Sequence, residues 1–228
     1  MEKLKSMYLK NKMNKLLGKL VIRIAVEIER NKANVSNATL PAFSNKPRNL
    51  RIDLPRQILN PERMVMGDNI SLGPNSFLIA QKYYPTAVMQ GPGHSNIRQQ
   101  FDSLIQIGNR VTATAGLQIA ACNRVLIEED VMFASNVHLN DSLHGYTDVS
   151  IPFKYQDLTK IAPICIKKGS WIGQNVVVLP GVTIGELSIV GANSVVRNNV
   201  PDRSIAAGNP ARVIKRWNQT SKIWEDVR

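Results

Sequence analysis

Aliphatic residues recur at every sixth position through the C-terminal part of the chain. The series runs through Ile166, Ile172, Val178, Ile184, Val190 and Val196. A small or β-branched residue follows four positions after each of them: Ser170, Val176, Val182, Ser188, Ser194 and Val200. An α-helix repeats every 3.6 residues and a half-buried strand every two, so neither produces a period of six. A six-residue period is typical of a chain that forms a short strand, turns a corner and repeats.

Three such repeats complete one coil of a triangular prism. The aliphatic position then points to the axis and stacks on its equivalents in the neighbouring coils, while the position four residues later must be compact. Glycine follows the aliphatic residue at Gly173, Gly185 and Gly191, where we expect it to accept backbone angles that a Cβ disfavours. Each coil buries its apolar face only against its neighbours. The pattern predicts an all-β protein built as a three-sided parallel β-helix.

Looser copies of the repeat lie upstream and are interrupted twice. Their aliphatic and aromatic positions are Met66, Leu72, Leu78, Ile107, Ile127, Phe133 and Leu139. We predict a β-helix domain over residues 63–210 with two inserted loops, at 81–104 and 140–163. An irregular lead-in rich in Asn and Pro covers residues 33–62, and a tail with a short helix covers 211–228. Loops that leave a rigid scaffold often carry functional residues.

Residues 1–32 predict a basic amphipathic helix. Apolar residues such as Leu16, Leu20 and Ile24 follow helical spacing. Between Met1 and Asn34, only Glu2, Glu27 and Glu29 oppose the basic residues Lys3, Lys5, Lys10, Lys12, Lys15, Lys19, Arg23, Arg30 and Lys32. One interpretation is docking on an anionic membrane surface. The other, which the sequence favours, is packing on the protein's own domain or on a neighbouring subunit, with the lysines in solvent.

Composition narrows the class of protein. The chain has 228 residues, 43% of them hydrophobic and 6% aromatic, with a formal net charge of +12. This size suits one domain plus an extension, and the apolar content argues against wholesale disorder. Cys122 and Cys165 form no CxxC pattern and are expected to pack in a reducing compartment. Neither a secretory signal nor a membrane-spanning apolar run is evident, so we expect a cytoplasmic protein, membrane-peripheral if the helix docks.

The second insertion contains the loop DSLHGYTDVSIPF, with His144 at its centre. Together with the segments SWIGQNVVVLPGVTIG, IVGANSVV and IAAGNPARVIKRW, this loop resembles the hexapeptide-repeat O-acetyltransferases over residues 64–217. That family includes galactoside, maltose and xenobiotic acetyltransferases, and the DxxHGY loop is closest to its polysaccharide or O-antigen branch. The resemblance implies a left-handed β-helix, a homotrimer, a glycan acceptor, and acetyl-CoA as co-substrate between adjacent prisms, with no metal.

The same resemblance implies that His144 is the general base. A sugar hydroxyl is too weak an acid to attack a thioester unaided, and an imidazole near pH 7 can accept its proton during the attack. A backbone N–H would stabilise the tetrahedral oxyanion. Asp141 is a candidate to orient the imidazole. Asn140, Tyr146 and His138 are candidates to contact the acceptor or to line its cleft.

Residues in the last coils correspond to positions of the family that contact the cofactor. Trp171 would screen the thioester, and other positions would meet the pantetheine arm or the phosphates: Gly173, Gln174, Gly191, Ala192, Arg197, Asn198, Arg212 and Lys215. Three departures stand out. Asn198 occupies a position that is often lysine, the segment 114–117 lacks the asparagine of galactoside-type members, and Glu128 replaces a glycine of the repeat.

Other interpretations remain open. Acetylation of an amino group on an amino sugar or nucleotide-linked amino sugar would use similar geometry. A γ-class carbonic anhydrase would use His94, His138 and His144 as zinc ligands, although two of them fall in loops and such ligands project from rigid coils. A non-catalytic β-helix scaffold would leave the loop histidine unexplained. Nucleic-acid binding is not expected, because the basic helix lacks interleaved aromatic residues.

Overall fold

A computed structural model of the chain describes residues 2–86 and 98–227. It divides into two units, Met1–Thr39 and Leu40–Arg228. The first unit contains α1 (Glu2–Arg30) and α2 (Lys32–Ala38). Along α1, apolar side chains including Leu16, Leu20 and Ile24 are exposed. Among the described residues, no helix combines the length and the apolarity that crossing a bilayer requires.

The second unit is a left-handed β-helix with three faces, as the repeat and the resemblance predict. The nine-stranded face contains β1 (Arg51–Ile52), β4 (Ser71–Leu72), β9 (Thr112–Ala113), β12 (Met132–Phe133), β17 (Trp171–Ile172), β20 (Ile189–Val190), β22 (Ser204–Gly208), β23 (Ala211–Asn218) and β24 (Ile223–Asp226). The six-stranded face contains β2 (Arg56–Leu59), β5 (Ser76–Ala80), β10 (Gln118–Ala121), β13 (His138–Asn140), β18 (Val177–Val178) and β21 (Val195–Val196). The five-stranded face contains β3 (Met64–Met66), β8 (Leu104–Ile107), β11 (Arg124–Ile127), β16 (Ile164–Ile166) and β19 (Thr183–Ile184).

Smaller elements lie beside these faces. Two antiparallel pairs form in the insertions: β6 (Tyr83–Tyr84) with β7 (Gln99–Gln100), and β14 (Leu143–His144) with β15 (Leu158–Thr159). Single 3-10 turns cover Pro61–Arg63 and Phe153–Tyr155.

The core of the prism is the stack of inward-facing repeat positions. All six aliphatic residues of the downstream series are buried, from Ile166 to Val196. The compact residues four positions later are buried too, and the serines among them bond to backbone. Ser170 Oγ donates to the carbonyl of Gly185 at 2.7 Å, and Ser194 Oγ donates to that of Gly191 at 2.6 Å. A buried hydroxyl with such a partner avoids the cost of an unpaired polar group.

The upstream coils are longer than the downstream coils, and this explains the looser repeat. Ile172 pairs with Val190, 18 residues later, whereas Ala113 pairs with Phe133, 20 residues later. The two extra residues lie between the six-stranded and five-stranded faces. Eight positions separate Ile119 from Ile127 there, but the equivalent Val178 and Ile184 are six apart.

The β-helix begins earlier than the predicted residue 63. In the segment expected to be an irregular lead-in, β1 pairs with β4 and β2 pairs with β5, so residues 51–59 already form part of a coil. Ile52 is fully buried and Leu50 nearly so. The sequence hides this coil because Pro55 and Pro61 interrupt the six-residue beat.

The predicted short C-terminal helix is wrong. Residues 211–218 and 223–226 are strands β23 and β24, which extend the nine-stranded face by antiparallel pairing with β22. A strand pairs the edge of the sheet, which a helix would leave with unpaired backbone groups. The rings of Trp217 and Trp224 pack edge to face across this hairpin, 5.5 Å between centroids.

Glycine at the repeat corners is explained by close approach, not by the backbone angles that we expected. A Cβ at Gly173 would lie 2.7 Å from the backbone nitrogen of Ala192 in the next coil. Asparagine instead takes the left-handed backbone conformation in this row of turns. Asn136, Asn175 and Asn193 have φ of 59°, 57° and 60°, and Asn175 Nδ2 donates to Asn193 Oδ1 at 2.9 Å. Asparagine tolerates that conformation better than most residues with a Cβ.

Candidate active site

Both insertions leave the prism at the same corner. The first follows β5 and returns at β8, and the second follows β13 and returns at β16, so each bridges the six-stranded and five-stranded faces. Between them lies an uninterrupted coil whose corner is Cys122 and Asn123, linking β10 to β11. Because β5, β10 and β13 are neighbours in one sheet, the roots of the insertions are two strand spacings apart.

The second insertion is held in a defined shape around His144. In the β14–β15 pair, His144 lies opposite Leu158. Gly145 N–H donates to the carbonyl of Asp157 at 2.9 Å, and a Cβ on Gly145 would lie 2.6 Å from that same oxygen. The glycine of the HGY motif is therefore required by this close approach. Gln156, which is buried, accepts from Thr147 N–H at 3.1 Å and donates to the carbonyl of Asp148 at 2.6 Å.

The first insertion packs directly against the second. Gln99 exchanges two hydrogen bonds with the backbone of Leu158: its Nε2 donates to the carbonyl at 3.0 Å, and its Oε1 accepts from the N–H at 2.7 Å. Arg98 Nε donates to Asp157 Oδ1 at 2.6 Å. Each of these contacts fixes the strand that pairs with His144.

Tyr84 is the side chain that meets the His144 ring. Its phenol oxygen lies 3.2 Å from Nδ1 of His144, and the two rings pack edge to face with centroids 5.7 Å apart. Tyr84 is 1% exposed, whereas His144 is exposed. The sequence gave no role to Tyr84. The available signal was that both insertions follow the same position of the repeat and must emerge side by side.

A cavity of about 350 Å³ adjoins His144 on the six-stranded face. Its walls are mainly apolar side chains: Leu59, Phe77, Ile79, Ala120, Leu143 and Leu158. Polar groups border it as well, among them Gln57, Gln81, Asn140 and the ring of His144. An apolar pocket with a few polar groups beside a histidine is the usual form of a small-molecule site.

Asp141 does not contact His144, contrary to the prediction that it orients the imidazole. Its side chain is fully buried, and its carboxylate oxygens accept 2.7 Å hydrogen bonds from the backbone N–H groups of Cys122 and Asn123. Burial raises the pKa of this carboxyl, while the backbone N–H groups act in the opposite direction. Asp141 thus holds the corner between the two insertions.

The three residues predicted to contact the acceptor occupy different places. Asn140 borders the cavity, and its Oδ1 accepts from Ser142 Oγ at 3.3 Å. Tyr146 is 55% exposed on the loop, with Lys160 Nζ 5.8 Å from its ring centroid. His138 is half-buried on β13 beside Gln118 and Val177, and it does not border the cavity.

The residues predicted to bind the cofactor do not border the cavity beside His144 within one chain. Trp171 is 46% exposed on the nine-stranded face, and Gly173, Gln174, Gly191 and Ala192 lie at or next to the turns from that face to the six-stranded face. Arg197 and Asn198 are exposed just after β21. On β23, Arg212 is exposed, while Lys215 pairs with Asp226 at 2.6 Å. One chain therefore presents His144 and Trp171 on different edges of the prism.

Two further predictions concern residues around this corner. Cys122 is buried, as expected, and burial raises the pKa of its thiol to about 11, so near neutral pH it is a poor nucleophile. Cys165 is half-buried. Glu128, which replaces a glycine of the repeat, accepts a 2.8 Å hydrogen bond from Lys167 Nζ and a 2.9 Å bond from Lys168 N–H.

The three-histidine metal site stays an untested alternative. His94 lies outside the described residues, and His138 and His144 belong to different elements. Within ranges 2–86 and 98–227, no group of three or more His, Cys, Asp or Glu residues is placed to hold a metal ion.

Comparison with known proteins identifies the repeat. Residues 166–198 match the family described as bacterial transferase hexapeptide (six repeats). Galactoside O-acetyltransferase of Escherichia coli K12 is 37% identical over 122 residues, covering 54% of this chain and 59% of that protein. WbbJ of the same organism, provisionally named a lipopolysaccharide biosynthesis O-acetyl transferase, is 35% identical over 128 residues, covering 54% of this chain and 65% of its own. The chain therefore spans less than two thirds of the length of both relatives.

A solved structure extends the likeness to the whole fold. A mutant of AntD, an N-acyltransferase from Bacillus cereus in complex with dTDP and coenzyme A, has a TM-score of 0.61 and 19% identity, covering 82% of this chain and 90% of that chain. At that identity the match concerns the fold alone. The predicted resemblance to the hexapeptide-repeat acetyltransferases is confirmed.

Proposed function

The chain carries the six-residue repeat and the β-helix of the bacterial hexapeptide transferases, and on that premise we propose that it is an acetyl-CoA-dependent O-acetyltransferase acting on a sugar hydroxyl of a glycan. The observation that carries the proposal is the placement of His144. It lies in a loop fixed by two insertions, its ring is exposed, and it adjoins an apolar cavity.

The reaction follows from general-base chemistry. His144 accepts the proton of the acceptor hydroxyl while the oxygen attacks the thioester carbonyl carbon, and the C–S bond then breaks. The proton passes to the departing thiolate, giving the acetyl ester and free CoA. General-base assistance of this kind contributes about 10²- to 10⁴-fold. Direct transfer is favoured over an acyl-enzyme on Cys122, because the raised pKa keeps that thiol protonated near neutral pH.

We propose that the complete site forms between two copies of the chain in a homotrimer. The acetyl-CoA arm would lie along Trp171, Gln174 and Ala192 of one copy and reach His144 of the next. The separation of these residues within one chain supports this arrangement. Arg197, Asn198, Arg212 and Lys215 are the candidates for contacts with the phosphates of CoA, since guanidinium and ammonium groups form charge-assisted hydrogen bonds with phosphate.

The exposed face of α1 supports a membrane partner. Lys12, Lys15, Lys19 and Arg23 recur at three- and four-residue spacing and therefore share one face, beside the exposed apolar residues Leu16, Leu20 and Ile24. We propose that α1 attaches the enzyme to an anionic membrane surface, because an apolar stripe next to a basic face complements such a surface. Packing against another copy of the chain is the competing outcome.

The nature of the product bond tests the proposed reaction. The purified full-length protein is incubated with acetyl-CoA and a panel of glycans, amino sugars and nucleotide-linked amino sugars, and products are detected by mass. Treatment with mild alkali then removes an O-acetyl ester but leaves an N-acetyl amide. An alkali-labile product supports the proposal. An alkali-stable product would move the enzyme to the N-acetyltransferases, and transfer to none of the acceptors would contradict both functions.

A further inference from the structure

The phenol of Tyr84 contacts two groups of the catalytic loop. Its oxygen lies 3.2 Å from His144 Nδ1 and donates a 2.5 Å hydrogen bond to the backbone carbonyl of Lys154. The residue comes from the first insertion, 60 positions before His144, and its side chain is buried between the two insertions.

Counting donors decides the direction of the bond to His144. A phenol has one hydrogen, and a carbonyl oxygen can only accept. The Tyr84 hydrogen therefore points to Lys154, which leaves the phenol oxygen as an acceptor toward His144. We infer that Tyr84 is a positioning residue that holds neutral His144 with its proton on Nδ1, so that Nε2 carries the lone pair that accepts the substrate proton. This inference rests on the proposed role of His144 as general base.

The surroundings of Tyr84 favour this arrangement. Burial raises the pKa of the phenol, so it stays protonated near neutral pH and keeps its bond to Lys154. The Arg98 guanidinium lies 5.6 Å from the Tyr84 ring centroid and is itself held by Asp157. Edge-to-face packing at an interplanar angle of 64° further restricts rotation of the imidazole.

The bond suits both protonation states of the base. When Nε2 takes the substrate proton, Nδ1 keeps its hydrogen and its acceptor, so no group has to turn during the reaction. The arrangement performs the task that a carboxylate or a backbone carbonyl performs for many functional histidines, which is to fix the tautomer through the second ring nitrogen. Here the acceptor comes from a different insertion of the chain.

Nitrogen NMR of the full-length protein tests the inference without any assay of activity. The chain has three histidines, so comparison with His144→Ala assigns the His144 signals. At a pH where His144 is neutral, we expect the Nδ1–H tautomer in the wild-type protein and a shift toward Nε2–H in Tyr84→Phe. Tyr83→Phe is the matched control, because Tyr83 precedes Tyr84 on the same strand and does not border the cavity.

Kinetics provide the second readout. Tyr84→Phe is expected to lower kcat by about 10-fold or more, part of the 10²- to 10⁴-fold that a general base contributes, while KM for acetyl-CoA stays unchanged. Wild-type His144 in the Nε2–H form, or an unchanged tautomer in Tyr84→Phe, would overturn the inference. If Tyr84→Phe does not fold, the wild-type spectrum alone decides. A tautomer that depends on Tyr84 in a protein lacking transferase activity would retain the positioning and reject the proposed function.

Discussion

The carboxylate of Asp141 accepts a 2.7 Å hydrogen bond from the backbone N–H of Cys122, one coil earlier in the prism. Its other oxygen accepts from Asn123. An asparagine would offer a single acceptor oxygen and turn its NH₂ toward a backbone N–H. Leaving a buried donor unpaired costs about 1–3 kcal/mol. We therefore expect Asp141→Asn to lower the free energy of unfolding by that amount in urea denaturation.

Asp102→Asn is the matched control for Asp141→Asn. The Asp102 side chain is fully exposed, with Arg63 4.0 Å away, and an exposed substitution of this kind usually changes stability by less than about 0.5 kcal/mol. The activity of folded Asp141→Asn should fall much less than that of a His144 variant. A loss of kcat equal to that of His144→Ala, with unchanged stability, would restore Asp141 to the role of orienting residue.

Removal of the imidazole tests the proposed base. His144→Ala should lower kcat by about 10²- to 10⁴-fold, the usual contribution of a general base. Acetyl-CoA affinity, measured by calorimetry, should be retained because the proposed cofactor contacts lie on other residues. His138→Ala serves as the comparison, since His138 is half-buried away from the cavity. Turnover of His144→Ala within tenfold of wild type would remove His144 from the mechanism.

Gly145 tests whether the shape of the loop matters to catalysis. A Cβ there would lie 2.6 Å from the carbonyl oxygen of Asp157, so Gly145→Ala must move β14 away from β15. We expect kcat to fall by about 10-fold or more because His144 is displaced, since a shift of ~1 Å can cost 10²-fold. The thermal midpoint should change little, because the loop lies outside the prism.

Gly18→Ala is the control for the added methyl group. No atom lies within 4 Å of a Cβ at Gly18 in α1, and alanine is favoured over glycine in a helix by about 1 kcal/mol. Wild-type kinetics in both alanine variants would show that the close approach at Gly145 has no bearing on catalysis.

A site shared between copies predicts complementation. His144→Ala and Trp171→Ala chains are each expected to form weakly active homotrimers at low acetyl-CoA concentration. After unfolding and refolding as a mixture, about one quarter of the sites should combine an intact His144 with an intact Trp171 from the neighbouring chain, as head-to-tail interfaces in a ring require. A mixture no more active than the separate variants would place both residues in a site within one chain.

Charge reversal on α1 tests its proposed membrane partner. The triple variant Lys12→Glu, Lys15→Glu, Lys19→Glu should lose co-sedimentation with vesicles that contain anionic lipid, because each basic residue near such a surface contributes about 1 kcal/mol. Vesicles of zwitterionic lipid and the full-length wild type provide the comparison. Unchanged vesicle binding, or dissociation of the trimer in sedimentation velocity, would favour a role of α1 in packing between copies.

The fold was predictable because the six-residue period is a direct consequence of the prism. Where the coils hold 18 residues, as between Ile172 and Val190, periodicity locates each buried side chain. Where they hold 20, as between Ala113 and Phe133, the beat slips at one corner and the pattern weakens. The C-terminal strands were missed because pairing with the edge of a sheet depends on distant residues, and a short segment carries no trace of that partner.

The candidate site was predictable only in part. His144 was identified by its loop motif, but its neighbour Tyr84 belongs to a segment without any motif. Asp141 was assigned to His144 because they are three positions apart, whereas in the structure its carboxylate meets backbone groups of another coil. Proximity in sequence is a poor guide in a solenoid, where residues about 20 positions apart are in contact and adjacent loop residues point in different directions.

The common point of departure of residues 81–104 and 140–163 has an evolutionary consequence. Each excursion returns to the rung it left, so its length and composition can drift without shifting the register of the stacked core. Selection for a new acceptor can therefore act on two surface segments that are free to vary, provided that they vary together. The durable scaffold and the adaptable recognition surface are encoded in separate stretches of one chain.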